Sequence, residues 1–181
     1  MSGIDEMVTQ QLSGPALQQI SQQLGLDPAS TQQAVTAALP IVLAGMASHA
    51  SNPDGAADIH SIADRHAIPA DMSSLGSIFS GAGGGGLLGK IFGARERTVQ
   101  DGVSNASGLD IGKAASLVAM IAPYVLAAIA HKKQNADLQP SDVAGSLQQA
   151  QQTAQANAQR QQPSLGGILG SVMNQVMDRG A

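Results

Sequence analysis

Apolar residues recur along most of this chain at intervals of three and four, the spacing that gathers them on one face of an α-helix. Period-two alternation and long β-branched runs, the marks of strands, are missing. Ile4 to Leu12 reads as a short first helix. Ser13-Gly14-Pro15 restarts the chain, and Pro15 suits the first turn of a second helix whose Leu17, Ile20 and Leu24 share a face. Gly25 is placed to close that helix in the left-handed conformation, with Leu26 packing back on its end. Asp27 then caps the next helix, and Pro28 takes its first position. This third helix carries Val35, Ala38, Leu39, Val42 and Met46 on one broad stripe. Pro40 lies inside it, removing a backbone hydrogen bond and crowding the carbonyl of Thr36, so the helix must kink or break. Pro53 and Pro140 begin two further helices. The second runs into a Gln/Ala tract, residues 148–162, which reads as helix or as low-complexity linker.

The centre of the pattern occurs twice. Residues 20–47 and 103–130 superpose without a gap at a constant shift of 83. Gly25-Leu26-Asp27 falls on Gly108-Leu109-Asp110, Pro40 on Pro123, and Val42-Leu43-Ala44 on Val125-Leu126-Ala127. A repeat of this length is one structural unit used twice, packed on itself about a pseudo-twofold axis. The fold class is therefore all-α: a two-repeat pseudo-symmetric helical bundle with proline-kinked core helices and Gly-rich connections. Residues 1–79 form repeat one with its N-terminal helix. Residues 80–99 form a Gly-rich linker with a short apolar helix, and residues 100–181 form repeat two, ending in the Gln/Ala-rich helix and an amphipathic C-terminal helix.

A shorter motif recurs outside the duplicated centre. It reads Leu75-Gly76-Ser77-Ile78-Phe79, then Leu87-Leu88-Gly89-Lys90-Ile91-Phe92, then Ile168-Leu169-Gly170-Ser171-Val172-Met173, continued by Val176 and Met177. Glycines at 83–86 and 166–167 precede two of the three, giving sticky short helices on leads free in direction.

Composition narrows the picture. Apolar residues make up 43% of the chain, enough for a core, but aromatics only 2%. Small side chains must fill that core, so the helices approach closely, and the modest area buried per residue favours association. Charged residues are 12% and the net charge is −4, without the basic footprint of a nucleic-acid binder. Cysteine is absent, which excludes disulfides and thiolate metal sites. The opening MSGIDEMVTQQL is acidic and polar, unlike a secretory signal peptide, so a cytoplasmic location is expected. Ala114–Ala130 is an apolar run between Lys113 and Lys132-Lys133, at the lower edge of the ~17–25 residues that span a bilayer. Pro123 in its middle, and Thr31, Gln32, Gln33 and Thr36 in its repeat partner, favour a buried core helix. Peripheral membrane contact through the sticky helices stays open.

Reactive chemistry is sparse. Gly84 to Lys90 reads GGGLLGK, but a phosphate-binding loop needs a preceding strand and a hydroxyl residue where Ile91 stands. Asp58, His60, Asp64 and His66 cluster on the fourth helix, a polar stripe in which His60 and Asp64 meet at i and i+4. His49 and His131 stand near the ends of the two proline-containing helices, where a cation meets the helix dipole favourably. Asp5, Glu6, Asp27 and Asp110 read as caps or surface residues, leaving no acid/base pair. No catalytic residue, metal site or cofactor is expected, and the chain reads as non-enzymatic.

The order of the pieces resembles the YidB-like family, bacterial helical proteins of unknown function. The resemblance rests on ALPIVLAGMA (38–47), the NPDGA turn (52–56), the Gly-rich stretch into LLGKIFG (87–93), SGLD followed by LVAMIAPYVLAAIA (107–130), and the LGGILGSVM tail (165–173). It implies an all-helical bacterial protein and carries over no catalytic residues. The leading functional expectation is a self-associating scaffold or interaction module, a homo-oligomer or polymer. Its association surface would be Ile168, Leu169, Val172, Met173, Val176 and Met177, with Leu87, Leu88, Ile91 and Phe92. The alternative is a binder of a small apolar ligand or lipid between Ala-rich helices, with Tyr124 as the polar handle of the pocket.

Overall fold

The computed structural model describes residues 3–65, 84–136 and 139–178. Among the described residues the chain is entirely helical: α1 (Ile4–Gln11), α2 (Pro15–Leu24), α3 (Pro28–Ala50), α4 (Pro53–Arg65), α5 (Gly84–Phe92), a 3-10 turn (Gly93–Arg95), α6 (Glu96–Ser107), α7 (Ile111–Ala136), α8 (Pro140–Gln161) and α9 (Leu165–Asp178). The motif Leu75–Phe79 and His66 lie outside the described residues.

The helix boundaries follow from local chemistry. Gly25 ends α2 at φ 63° and Gly108 ends α6 at φ 71°, the left-handed conformation that spares glycine a Cβ penalty. The carboxylate of Asp27 accepts from Ser30 N at 2.9 Å and so caps α3, while Asp110 accepts from Lys113 N at 3.1 Å at the start of α7. Gln139 and Asp142 form a reciprocal capping box on α8, with Pro140 at its first position. Pro40 and Pro123 sit inside α3 and α7, and both helices run on past them unbroken. The Gln/Ala tract is helical as far as Gln161, and Ala150, Gln151, Ala154 and Ala158 are its buried face.

The duplicated pattern becomes duplicated packing. Ala34, Val35, Ala38, Leu39, Val42 and Leu43 of α3 are buried, and so are their equivalents Leu117, Val118, Ile121, Ala122, Val125 and Leu126 of α7. α3 and α7 cross at the centre, and α6 packs on α3 as α2 packs on α7. The same relation joins α8 to α3 and α4 to α7. It also reaches beyond the sequence match. α1 lies on α7 and α8, and α5, from the stretch read as linker, lies on α3 and α4. Each unit is therefore four helices, α1–α4 and α5–α8, and each sends its first helix onto the other unit. Sizes compensate across the axis. Gly45 of α3 faces Val99 and Phe92, whereas the equivalents of those two are the smaller Ala16 and Thr9, and α7 carries Ala128 in place of glycine.

Among the described residues two helices are long and apolar enough to cross a membrane by length and composition, Pro28–Ala50 and Ile111–Asn135; in the fold, 83% and 72% of their most apolar windows are buried. The first of these was not apparent from runs of apolar letters, because polar residues interrupt its opening turns.

Candidate docking site

α9 is the one described helix without a described equivalent in the first unit. It lies across α3 and α6 and touches α8 at its edge. Its apolar positions recur on one side, and four of them, Leu169, Val172, Met173 and Val176, are buried in their own chain. The floor of the groove is Gly102 of α6. A Cβ built there would stand 2.5 Å from Val172 Cγ1 and 3.3 Å from Ile41 Cγ2, so only glycine lets α9 approach this closely. Gln151 Nε2 donates to Met173 Sδ at 3.2 Å and ties the helix to α8. Each buried side chain of this size contributes about 1.5–3 kcal/mol relative to exposure. Ile168 faces away and is 41% exposed.

Most of the residues expected to form the association surface are buried within their own chain. Leu169, Val172, Met173 and Val176 line the α9 contact, and Leu88, Ile91 and Phe92 of α5 are buried in the core. Ile168 remains at the surface, and the side chains of Leu87 and Met177 lie outside the described ones. Helical periodicity shows which residues share a face, and it is silent on whether that face meets its own chain or another. Tyr124 is buried at 7% exposure among core side chains, and burial pushes its phenol above the usual value of 10.0. Gly102 was missed by sequence reasoning; it lies between Val99 and Ala106 on the buried face of α6, a face the fold reveals.

Three polar clefts follow one side of α8, along Gln149, Thr153, Asn157 and Gln161, which recur every fourth residue. The largest, of about 540 Å³, lies between α8 and α1 and is lined by Asp5, Glu6, Thr9 and Gln10. Its neighbour, of about 330 Å³, adds Lys132, Ser146 and Gln149. Asp5 is not the surface residue its position suggested, being only 5% exposed. Burial raises its carboxyl above the ordinary 3.8, against the opposing pull of nearby backbone N–H groups and Lys132.

The polar stripe of α4 serves a structural contact. Lys133 of α7 donates to Asp64 and stands 3.3 Å from His60 Nδ1, joining the two units. The Lys133 hydrogen bond holds the Asp64 carboxyl below its usual range. His49 occupies the last turn of α3 as expected. His131 does not end its helix: α7 continues to Ala136, and Asn135 Nδ2 reaches both the ring and the carbonyl of His131.

No curated protein and no solved structure matches the chain. The model of a bacterial family does, over residues 6–132, from α1 into the closing turns of α7 and short of α8 and α9. That match spans well over half of the chain, which therefore belongs to the bacterial proteins of unknown function grouped as DUF937.

Proposed function

We propose that this protein is a non-enzymatic interaction module that self-associates through its C-terminal helix. The observation that supports this reading is the manner in which α9 is held. It is the last described helix, bound along one apolar face and connected to α8 by residues 162–164 alone. An apolar face of this kind fits a second copy of its groove as well as its own. The low charge of the chain, 12%, leaves little electrostatic repulsion to keep copies apart. Light scattering after size exclusion, across a wide concentration range, tests the reading on the full chain and on a chain ending at Gln162. The expected result is a mass that rises with concentration for the full chain and stays at one copy for the shortened one. A full chain that remains a single copy at every concentration would overturn the proposal.

A further inference from the structure

We infer that the α3–α6 groove accepts α9 from a second copy of this chain, in a reciprocal exchange that closes as a dimer. The inference rests on the reading of α9 as the associating element, and adds the acceptor site and the stoichiometry. Among the described residues the groove exists once per chain. Gly102 and Ala106 of α6 are buried, and Val172 and Ile41 both stand against Gly102. At the same shift of 83, the equivalents on α2 are Gln19 and Gln23, both exposed, and the equivalent of Ile41 is the larger Tyr124. Two long amide side chains on successive turns thus stand where α6 has glycine and alanine. Among the described residues no further helix lies over the α2–α7 pair as α9 lies over α6 and α3.

One donor helix and one acceptor groove fix how copies combine. When α9 of one copy enters the groove of another, the first copy's groove is left open beside the displaced α9. The second insertion is then intramolecular and proceeds at a high effective concentration. Two-chain closure satisfies both grooves, whereas an open series leaves one unsatisfied at its end. Every side-chain contact of α9 is the same in either arrangement, and only the course of residues 162–164 differs. Gln162 already leaves the helix at φ −136° and ψ 83°, and Pro163 bars α8 from continuing into α9. A short link between two well-formed helices is where exchange between copies arises.

Two incomplete chains test this. A chain ending at Gln162 keeps the groove and lacks the helix; Gly102→Leu keeps the helix and blocks the groove. Each alone should run as one copy, and their mixture should give a complex of about twofold mass, closed by one exchanged helix. A second measurement does not depend on either variant folding. The chain has no cysteine, so Ile41→Cys with Val172→Cys supplies its only thiols. Oxidation of a concentrated sample should give a covalent dimer on a non-reducing gel. Disulfides formed only within single chains, with no mixed complex, while the native chain still associates, would overturn the exchange and leave association to another surface. A native chain that stays a single copy throughout would overturn the exchange together with the function proposed above.

Discussion

At the scale of single residues, two glycines on helices of the same bundle respond oppositely to the same change. Gly102 has Val172 and Ile41 against it, so Gly102→Ala forces neighbours apart and should cost about 1–3 kcal/mol, as overpacking does. Gly145 in α8 is exposed with nothing within 4 Å, so Gly145→Ala should raise stability by about 0.5–1 kcal/mol through helix propensity. Denaturant midpoints of the two variants against the native chain check both signs at once. Neither residue announces its role among the 21 glycines of the sequence. What separates them is the element lying overhead, which is a tertiary fact. Asp5 teaches the same lesson for charge. It stands beside Glu6 in a polar opening segment, yet α7 and α8 close over α1 and bury it. Its carboxyl is raised in the fold above the unfolded value of 3.8, so the native state holds the proton more tightly than the unfolded state. Stability from this group is present below 3.8 and is lost as pH rises through the raised folded value. Asp5→Asn should flatten that part of the stability profile and gain on the native chain towards neutral pH. Urea unfolding at a series of pH values measures it; parallel profiles would show that Asp5 does not titrate differently on folding.

At the scale of elements, most of the fold was legible because short chemical signals and long periodic ones agree. Asp27-Pro28 and Gln139-Pro140 mark helix starts, Gly25 and Gly108 mark helix ends, and the apolar spacing between them leaves no strand to consider. Even the Gln/Ala tract resolves itself, since Ala150, Ala154 and Ala158 form a narrow stripe of small side chains against α3. What was not legible is partnership. The stripe of α9 reads identically whether it covers its own core or a neighbour's, and the structure puts it over α3 and α6. The short apolar helix expected within residues 80–99 shows the same gap between sequence and partnership. Its glycines suggest freedom, while Ile91 and Phe92 are completely buried and α5 packs on α3 and α4 of the first unit. A chain ending at Gln162 should therefore remain helical and lose stability locally. Amide hydrogen exchange should accelerate in α3 around Ile41 and in α6 around Gly102, with α4 unchanged. Uniform acceleration over all helices would mean that α9 supports the whole bundle and is no separable device.

At the scale of the molecule, the two units are interlocked and do not sit side by side as separate domains. α1 of the first unit rests on α7 and α8 of the second, and α5 of the second rests on α3 and α4 of the first. The central helices depend on this arrangement most. Ile41, Val42 and Leu43 of α3 and Ile121, Val125 and Leu126 of α7 are fully buried, and that burial is built from both units. Separated, α3 and α7 would each present a stretch long and apolar enough to enter a membrane, with no aromatic girdle and only the polar opening turns of α3 to set them apart. Duplication thus predicts a physical consequence: neither copy alone should complete a core, because each central helix is covered in part by helices of the other unit. Cutting the chain between Arg65 and Gly84 separates the two units and tests this directly. Fragments 1–83 and 84–181 should each show reduced helicity by circular dichroism and should bind a hydrophobic dye. Mixed in equal amounts, they should lose the dye and unfold in one cooperative transition close to that of the intact chain. If either fragment alone unfolds cooperatively as a single copy, its core is self-sufficient, and the crossed packing of α1 and α5 is an ornament on two independent domains. Dye release on mixing, without any change in either fragment's helicity, would place the units' dependence in side-chain packing and leave the backbone of each already formed.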